Sequence, residues 1–195
     1  MILYVATKNK HKLKEISQIL DGVDVRSVYE IVDDSVDVEE TGVTFVENAS
    51  LKARTLSKMV DGYVIADDSG ISVDILDGAP GVYSARFAGP KATDGENNEK
   101  LMNMMMPVPQ EQCGASYVCV IALAKNGLVE RTFSGLCEGF IAKEYKGEGG
   151  FGYDPMFLLP DGRHMAELTD AQKNSISHRF MALQSLKEYL ESIKG

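Results

Sequence analysis

Several features that commonly announce a protein's chemistry are scarce or missing in this chain. It has three cysteines, Cys113, Cys119 and Cys137, among 195 residues. They are odd in number, widely spaced and never in a C-x-x-C pair, so they read as reduced, partly buried small apolar residues and not as catalytic thiols. Basic residues are outnumbered, with 20 Lys and Arg against 29 Asp and Glu, a net charge of −9. That balance argues against DNA or RNA as the main partner, because such affinity comes from many phosphates neutralised by Lys and Arg. No apolar run approaches the roughly 18 residues that cross a bilayer, and stretches such as Tyr117 to Ala124 have strand length. The N-terminus lacks a basic lead and turns polar at Thr7, so it reads as a first strand and not as a signal peptide. A cytoplasmic protein with no membrane partner is expected. There is no G-x-x-x-x-G-K-[ST] loop, no G-x-G-x-x-G fingerprint, no internal repeat and no defensible Ser/His/Asp or Cys/His arrangement.

What remains is ordinary globular composition, 44% hydrophobic and 25% charged. A single domain over residues 1–195, divided into two lobes, is the expectation. Ile2 to Ala6 suits a buried strand, and the spacing Leu13, Ile16, Leu20 predicts a helix closed by Gly22. Val23 to Val28 follows as a second strand, before an acidic segment holding Asp33, Asp34, Asp37, Glu39 and Glu40. Thr44 and Glu47 form a capping box for a helix whose apolar face is Phe45, Ala49, Ala53, Leu56 and Val60. Tyr63 to Ala66 predicts a strand ending at Asp67-Asp68-Ser69-Gly70, with another extended piece over Ile71 to Ile75. Asp94 is expected to cap a helix running to Met106, whose methionine cluster suits core filling or an interface. Ala115 to Lys125 and Leu128 to Ile141 form a hairpin across Asn126-Gly127, and Met156 to Leu159 is a short strand. The stripe Ile176, Phe180, Leu183, Leu186, Leu190 is a final helix. The mixture predicts an α/β fold with a central mixed sheet and flanking helices.

Three places concentrate polar chemistry. Asp67 and Asp68, placed at the carboxyl end of a buried strand, occupy the crevice where open α/β sheets put ligands, although the pair also suits a plain turn. With Glu40 they offer hard oxygen donors to Mg²⁺. Thr7-x-Asn9-x-x-Lys12 lies between the first strand and first helix, where backbone N–H groups and the helix dipole favour an anion, with an exposed loop as the plainer reading. Lys173, His178 and Arg179 form either a solvated helix start or a donor-rich wall facing a phosphate or purine edge, with Phe151 or Tyr153 as a stacking face.

Taken together, the blocks Ala6 to Lys12, Glu39 to Ala49, Ala66 to Gly70, Gly78 to Arg86, Gly149 to Pro155 and Ser177 to Arg179 carry a resemblance over nearly the whole chain. The chain resembles the inosine-triphosphate pyrophosphatase family, the house-cleaning nucleoside triphosphate diphosphatases that act on dITP, ITP and XTP. The resemblance implies two lobes around a nucleotide cleft, a homodimer in the cytoplasm, Mg²⁺ as cofactor, and release of a nucleoside monophosphate and pyrophosphate. It implies that Thr7, Asn9 and Lys12 hold the triphosphate, with substrate contacts along Lys8, Lys10 and His11. Glu40 and Asp68 serve the Mg²⁺, and Asp68 accepts the proton of the attacking water. Ser69 touches substrate, while Phe151, Gly152, Tyr153, Asp154, Lys173, His178 and Arg179 line the base and nearby phosphate. In-line attack by water needs a positioned base and neutralised phosphate charge but no covalent nucleophile. The alternatives are a house-cleaning pyrophosphatase for other modified nucleotides and a non-catalytic nucleotide-binding sensor.

Overall fold

The computed structural model describes residues 2–193. In chain order the elements are β1 (Ile2–Val5), α1 (Lys10–Ile19), β2 (Asp24–Ser27), α2 (Phe45–Leu56), β3 (Tyr63–Val73), α3 (Asp94–Met105), β4 (Gly114–Lys125), β5 (Leu128–Ile141), β6 (Phe157–Leu158), α4 (Asp170–Lys173) and α5 (His178–Ser192), with short 3₁₀ turns between some of them. The strands form one sheet of order β2-β1-β3-β4-β5-β6. β1 runs parallel to β2 and β3, and β6 antiparallel to β5, so the expected mixed α/β sheet is what forms. Among the described residues no helix is long and apolar enough to cross a membrane.

Local chemistry sets the element ends. Asn9, in an extended conformation, accepts from the backbone N–H groups of His11 and Lys12 and so satisfies two of the four orphan donors at the start of α1. Thr44 and Glu47 cap α2 reciprocally, as their spacing predicts. At α3 the expectation needs correction. Thr93 is the cap, closed by Glu96 in a second capping box, and Asp94 is the first helical residue. Its carboxylate instead accepts from Gly152 N at 2.8 Å. Asn126 (φ 53°) and Gly127 (φ 79°) both take left-handed conformations, as a two-residue hairpin turn demands. The last strand is shorter than expected, because Met156 belongs to a 3₁₀ turn, and Ile176 lies exposed ahead of α5.

The chain divides into two compact units. One holds the described residues up to Asp68, Cys119–Gly135 and those from His178 on; the other holds Ser69–Val118 and Leu136–Ser177. In the first, strand alternation sends Leu3, Val5, Ile65, Cys119 and Ile121 to one face, where they pack with Ile16, Leu20, Leu183 and Leu186 of α1, its cap and α5. Tyr4, Ala6, Val64, Ala66 and Val120 face the other way, against Ala49, Ala53 and Leu56 of α2. Helices on both faces explain why these strands read as continuous apolar runs. The second unit is built around Ile71, Leu101, Met105, Tyr117, Ile141 and Phe157. Of the methionine cluster, Met105 fills this core while Met104 and Met106 are exposed. All three cysteines are buried and unbridged.

β3 is the main departure from expectation. The Asp67-Asp68-Ser69-Gly70 segment is not a turn after a strand; it is the middle of one strand of 11 residues. Gly70 is extended, and a Cβ there would lie 2.4 Å from Ser84 Oγ and 2.5 Å from Gly81 O. The glycine permits a close approach and not a change of direction.

Candidate active site

Because β3 is continuous, Asp67 and Asp68 point to opposite faces of the sheet, and their surroundings diverge accordingly. Asp67 is embedded among cations and a thiol. Lys12 pairs with Oδ1, while Arg179 Nε, at 3.3 Å, and Cys119 Sγ, at 3.0 Å, both donate to Oδ2. Burial opposes its ionisation, but Arg179 and Lys12 outweigh that and hold the carboxyl well below the usual range. Arg179 also donates through Nη1 to Glu15 of α1, so one buried ion cluster ties α1, β3 and α5 together within this unit. Burial lowers the affinity of that guanidinium for its proton, and Asp67 and Glu15 more than reverse the effect.

Asp68 is also buried, at 5% exposure, yet Oδ2 has no hydrogen-bond partner among the described residues. Burial pushes its pKa up to about 6; Lys52 opposes the rise, Glu40 reinforces it, and Lys12 and the amide of Asn48 oppose it further. Lys52 of α2 donates to Glu40 Oε1 and to the carbonyl of Asp67, both at 2.7 Å. Burial weakens its hold on a proton, but Glu40 and Asp68 raise its pKa overall. Two adjacent carboxylates therefore take different characters, one locked in its charged form and one poised to exchange a proton.

The phosphate-loop candidates lie in this same unit. Thr7 Oγ1 accepts from Asn9 N at 3.1 Å, so the Thr and Asn of the T-x-N-x-x-K pattern shape the turn and cap the helix. Thr7, Lys8, Asn9 and Lys10 line a groove of about 410 Å³ together with Tyr29 and Asp34. Lys8 donates to the Asp34 carbonyl at 2.8 Å and lies 5.0 Å from the Tyr29 ring centre. His11 is exposed on the first turn of α1. Lys12 is thus brought beside Asp67 and within electrostatic reach of Asp68.

In the second unit Asp154 is the hub. It is buried, accepting from Tyr117 Oη at 2.8 Å on Oδ1, and from Lys173 Nζ at 2.7 Å and Phe151 N at 3.1 Å on Oδ2. Lys173 Nζ lies 4.5 Å from the Phe151 ring centre, within cation–π range. Gly150 has φ 69°, and a Cβ there would meet the Asp154 carboxylate at 1.9 Å. Gly152 is pinned by its N–H to Asp94 and by its carbonyl, which accepts from Asn98 at 3.0 Å. Tyr153 donates from Oη to the Ser84 carbonyl at 2.6 Å, which commits its hydroxyl to the protein itself. Ser69 is half-buried in β3.

Lys173, His178 and Arg179 do not form a solvated helix start, since all three are buried. Nor are they one wall within a unit, because Lys173 belongs to the second unit and His178 and Arg179 to the first. Sequence reasoning passed over Lys52, Glu15, Asn48 and Tyr117. Lys52 and Asn48 sit on a helix whose visible signal is its apolar stripe; Lys52 finds Glu40 and the Asp67 carbonyl 12 and 15 residues away, while Asn48 Oδ1 accepts from Gly42 N at 2.8 Å.

Residues 3–189 match the Ham1 family. The chain is 44% identical over 194 residues to the dITP/XTP pyrophosphatase of Oceanobacillus iheyensis, covering 98% of each, and 47% identical over 191 residues to that of Bacillus subtilis, covering 96% of each. The solved structure of the Staphylococcus aureus Ham1 protein superimposes with a TM-score of 0.88 at 40% identity, over 98% of this chain and 99% of that one. Agreement of sequence and fold over almost the full length shows that this chain belongs to the Ham1 family.

Proposed function

We propose that this chain is a nucleoside triphosphate pyrophosphohydrolase, cleaving non-canonical purine nucleotides such as dITP, ITP and XTP to the nucleoside monophosphate and pyrophosphate, and so clearing deaminated purines. Its relatives carry the name dITP/XTP pyrophosphatase. The observation that carries the chemistry is Asp68, a buried carboxylate with a pKa near 6 and an unpartnered oxygen, beside a locked neighbour. Such a group takes a proton from water at neutral pH, the role of a general base in phosphoanhydride hydrolysis.

Glu40 and Asp68 supply hard oxygen donors, and the buried unpartnered Oδ2 fits a cation's demand. Among the described residues no group of three or more His, Cys, Asp or Glu could hold a metal. Two carboxylates fit Mg²⁺, which takes one or two and fills its shell with water and phosphate oxygens; once bound it neutralises charge on the transferring phosphates. Lys52, now on Glu40, acts as the resident counter-ion of these carboxylates. Thr7, Asn9 and Lys12, with Lys8, Lys10 and His11, take the triphosphate. Ser69 touches substrate, and the Phe151–Asp154 loop, Lys173, His178 and Arg179 read the base. The enzyme works as a cytoplasmic homodimer.

A panel of purine triphosphates with pyrophosphate detection tests the reading, with dITP and XTP turned over far faster than ATP. Binding without turnover would leave a nucleotide sensor. Hypoxanthine and xanthine carry a 6-keto acceptor where adenine carries an amino donor, and mismatched buried donors cost about 1–3 kcal/mol each. Arg179→Ala therefore lowers kcat/KM for ITP more than for ATP; equal fractional losses would restrict Arg179 to its observed place as counter-ion of Asp67 and Glu15.

A further inference from the structure

Tyr117 lies on β4 with 6% exposure, and its ring packs on Phe157 at a centroid distance of 4.4 Å. Packing alone would be served by phenylalanine. The hydroxyl instead donates to the buried carboxylate of Asp154, at 2.8 Å. Burying a carboxylate in its charged form is costly unless its lone pairs are filled, and at Asp154 each oxygen has its own donors. Tyr117 takes Oδ1, which leaves Oδ2 to the Lys173 ammonium and the Phe151 N–H. That division fixes two things at once. The backbone N–H bond holds the Phe151 end of the glycine loop, and the ion pair holds the Lys173 ammonium 4.5 Å from the Phe151 ring centre. Without the hydroxyl, Oδ1 would be an unpaired buried acceptor, and the carboxylate would rotate to share its remaining donors between both oxygens.

We propose that Tyr117 is a positioning residue for base selection: through Asp154 it sets the Phe151 ring and the Lys173 ammonium in the orientation that receives a purine. This rests on the reading of the Phe151–Asp154 loop and Lys173 as the base-contacting side of the site. Tyr117 touches no substrate; it acts only through Asp154.

Tyr117→Phe keeps the ring and removes the hydroxyl. The expected result is a KM for dITP raised about tenfold, the size of one lost hydrogen bond to a charged group, with kcat within about twofold of the parent. Amide exchange at Phe151 speeds up by a similar factor, because its acceptor is no longer fixed, while the melting curve stays cooperative. In a Lys173→Met background, Tyr117→Phe adds little further to KM, since the two act in one chain of contacts. An unchanged KM and Phe151 exchange rate, a fall in kcat at constant KM, or fully multiplicative effects in the double variant would each overturn the proposal. Phe151→Ala and Lys173→Met, measured in the same assay, separate this from the reading beneath it. If they raise KM and Tyr117→Phe does not, the loop reads the base and Tyr117 does not position it. If neither alters KM, the loop itself is misassigned.

Discussion

A carboxylate that takes a proton from water works best when its pKa approaches the working pH, and burial brings Asp68 to about 6. kcat/KM is therefore expected to climb with pH through about 6 and then level off, and Asp68→Asn to lose at least about 10²-fold in kcat at pH 8. The same burial has a cost in stability whose sign is fixed. The carboxyl ionises near 3.8 when unfolded and near 6 when folded, so the native protein retains a proton that the unfolded chain releases between those values. The stability this confers is complete below about pH 4 and lost as pH rises through 6, and at pH 8 the ionised group costs on the order of 3 kcal/mol. Asp68→Asn should then melt several degrees above the parent at pH 8 and level with it at pH 4. A lower melting point at pH 8 would show that the charge is well solvated. At this scale residue type alone does not separate Asp67, Asp68 and Glu40; the resemblance singles out Asp68 as the proton acceptor, without the physical cause. The difference between Asp67 and Asp68 arises because Arg179 and Lys12 outweigh burial at Asp67, whereas at Asp68 burial and Glu40 outweigh Lys52, Lys12 and Asn48, a balance set by groups that only the folded chain brings to β3.

Elements were legible where their cause is local. Apolar spacing predicts α1 and α5, the same spacing with a capping box predicts α2, and Asn126-Gly127 predicts the hairpin, because each signal lies within a few residues of what it controls. In the sequence β3 reads as two pieces, since Asp-Asp-Ser-Gly has the composition of a turn. What keeps it extended is packing against Gly81 and Ser84, later in the chain, whose hydroxyl accepts from Ile71 N at 2.9 Å. Gly70→Ala tests that account: its Cβ has no room, and the overpacking should destabilise the protein by about 1–3 kcal/mol. Denaturant titration measures it, and a neutral effect would mean that the segment around Ser84 yields easily.

For the molecule as a whole, fold class followed from strand and helix patterns, and a two-lobed domain is the expectation there, whereas the place of the boundary is not legible, because the division between Asp68 and Ser69 falls inside one strand. The three buried cysteines serve as probes of that division. Burial and the nearby Asp67 push the Cys119 thiol well up, and burial with Asp154 brings Cys137 to about 11, so little reactive thiolate exists at neutral pH. Alkylation of the native protein should leave activity largely intact, and rapid inactivation prevented by nucleotide would contradict this. Cys119 lies in one unit and Cys113 and Cys137 in the other, so their labelling rates under mild denaturant report the opening of each separately. The alternation along β3 also sets a limit on how the chain can change in length. Inserting one residue between Tyr63 and Ala66 would carry Asp67 into the place of Asp68, the proposed base, and leave Ala66 facing the buried guanidinium of Arg179. Deleting one would draw Asp68 into the ion cluster and put Ser69, which is no base, in its stead. Either event shifts the strand by a single step and removes a charge that one of the two faces requires. Along this stretch descent can exchange side chains, but it cannot alter their number.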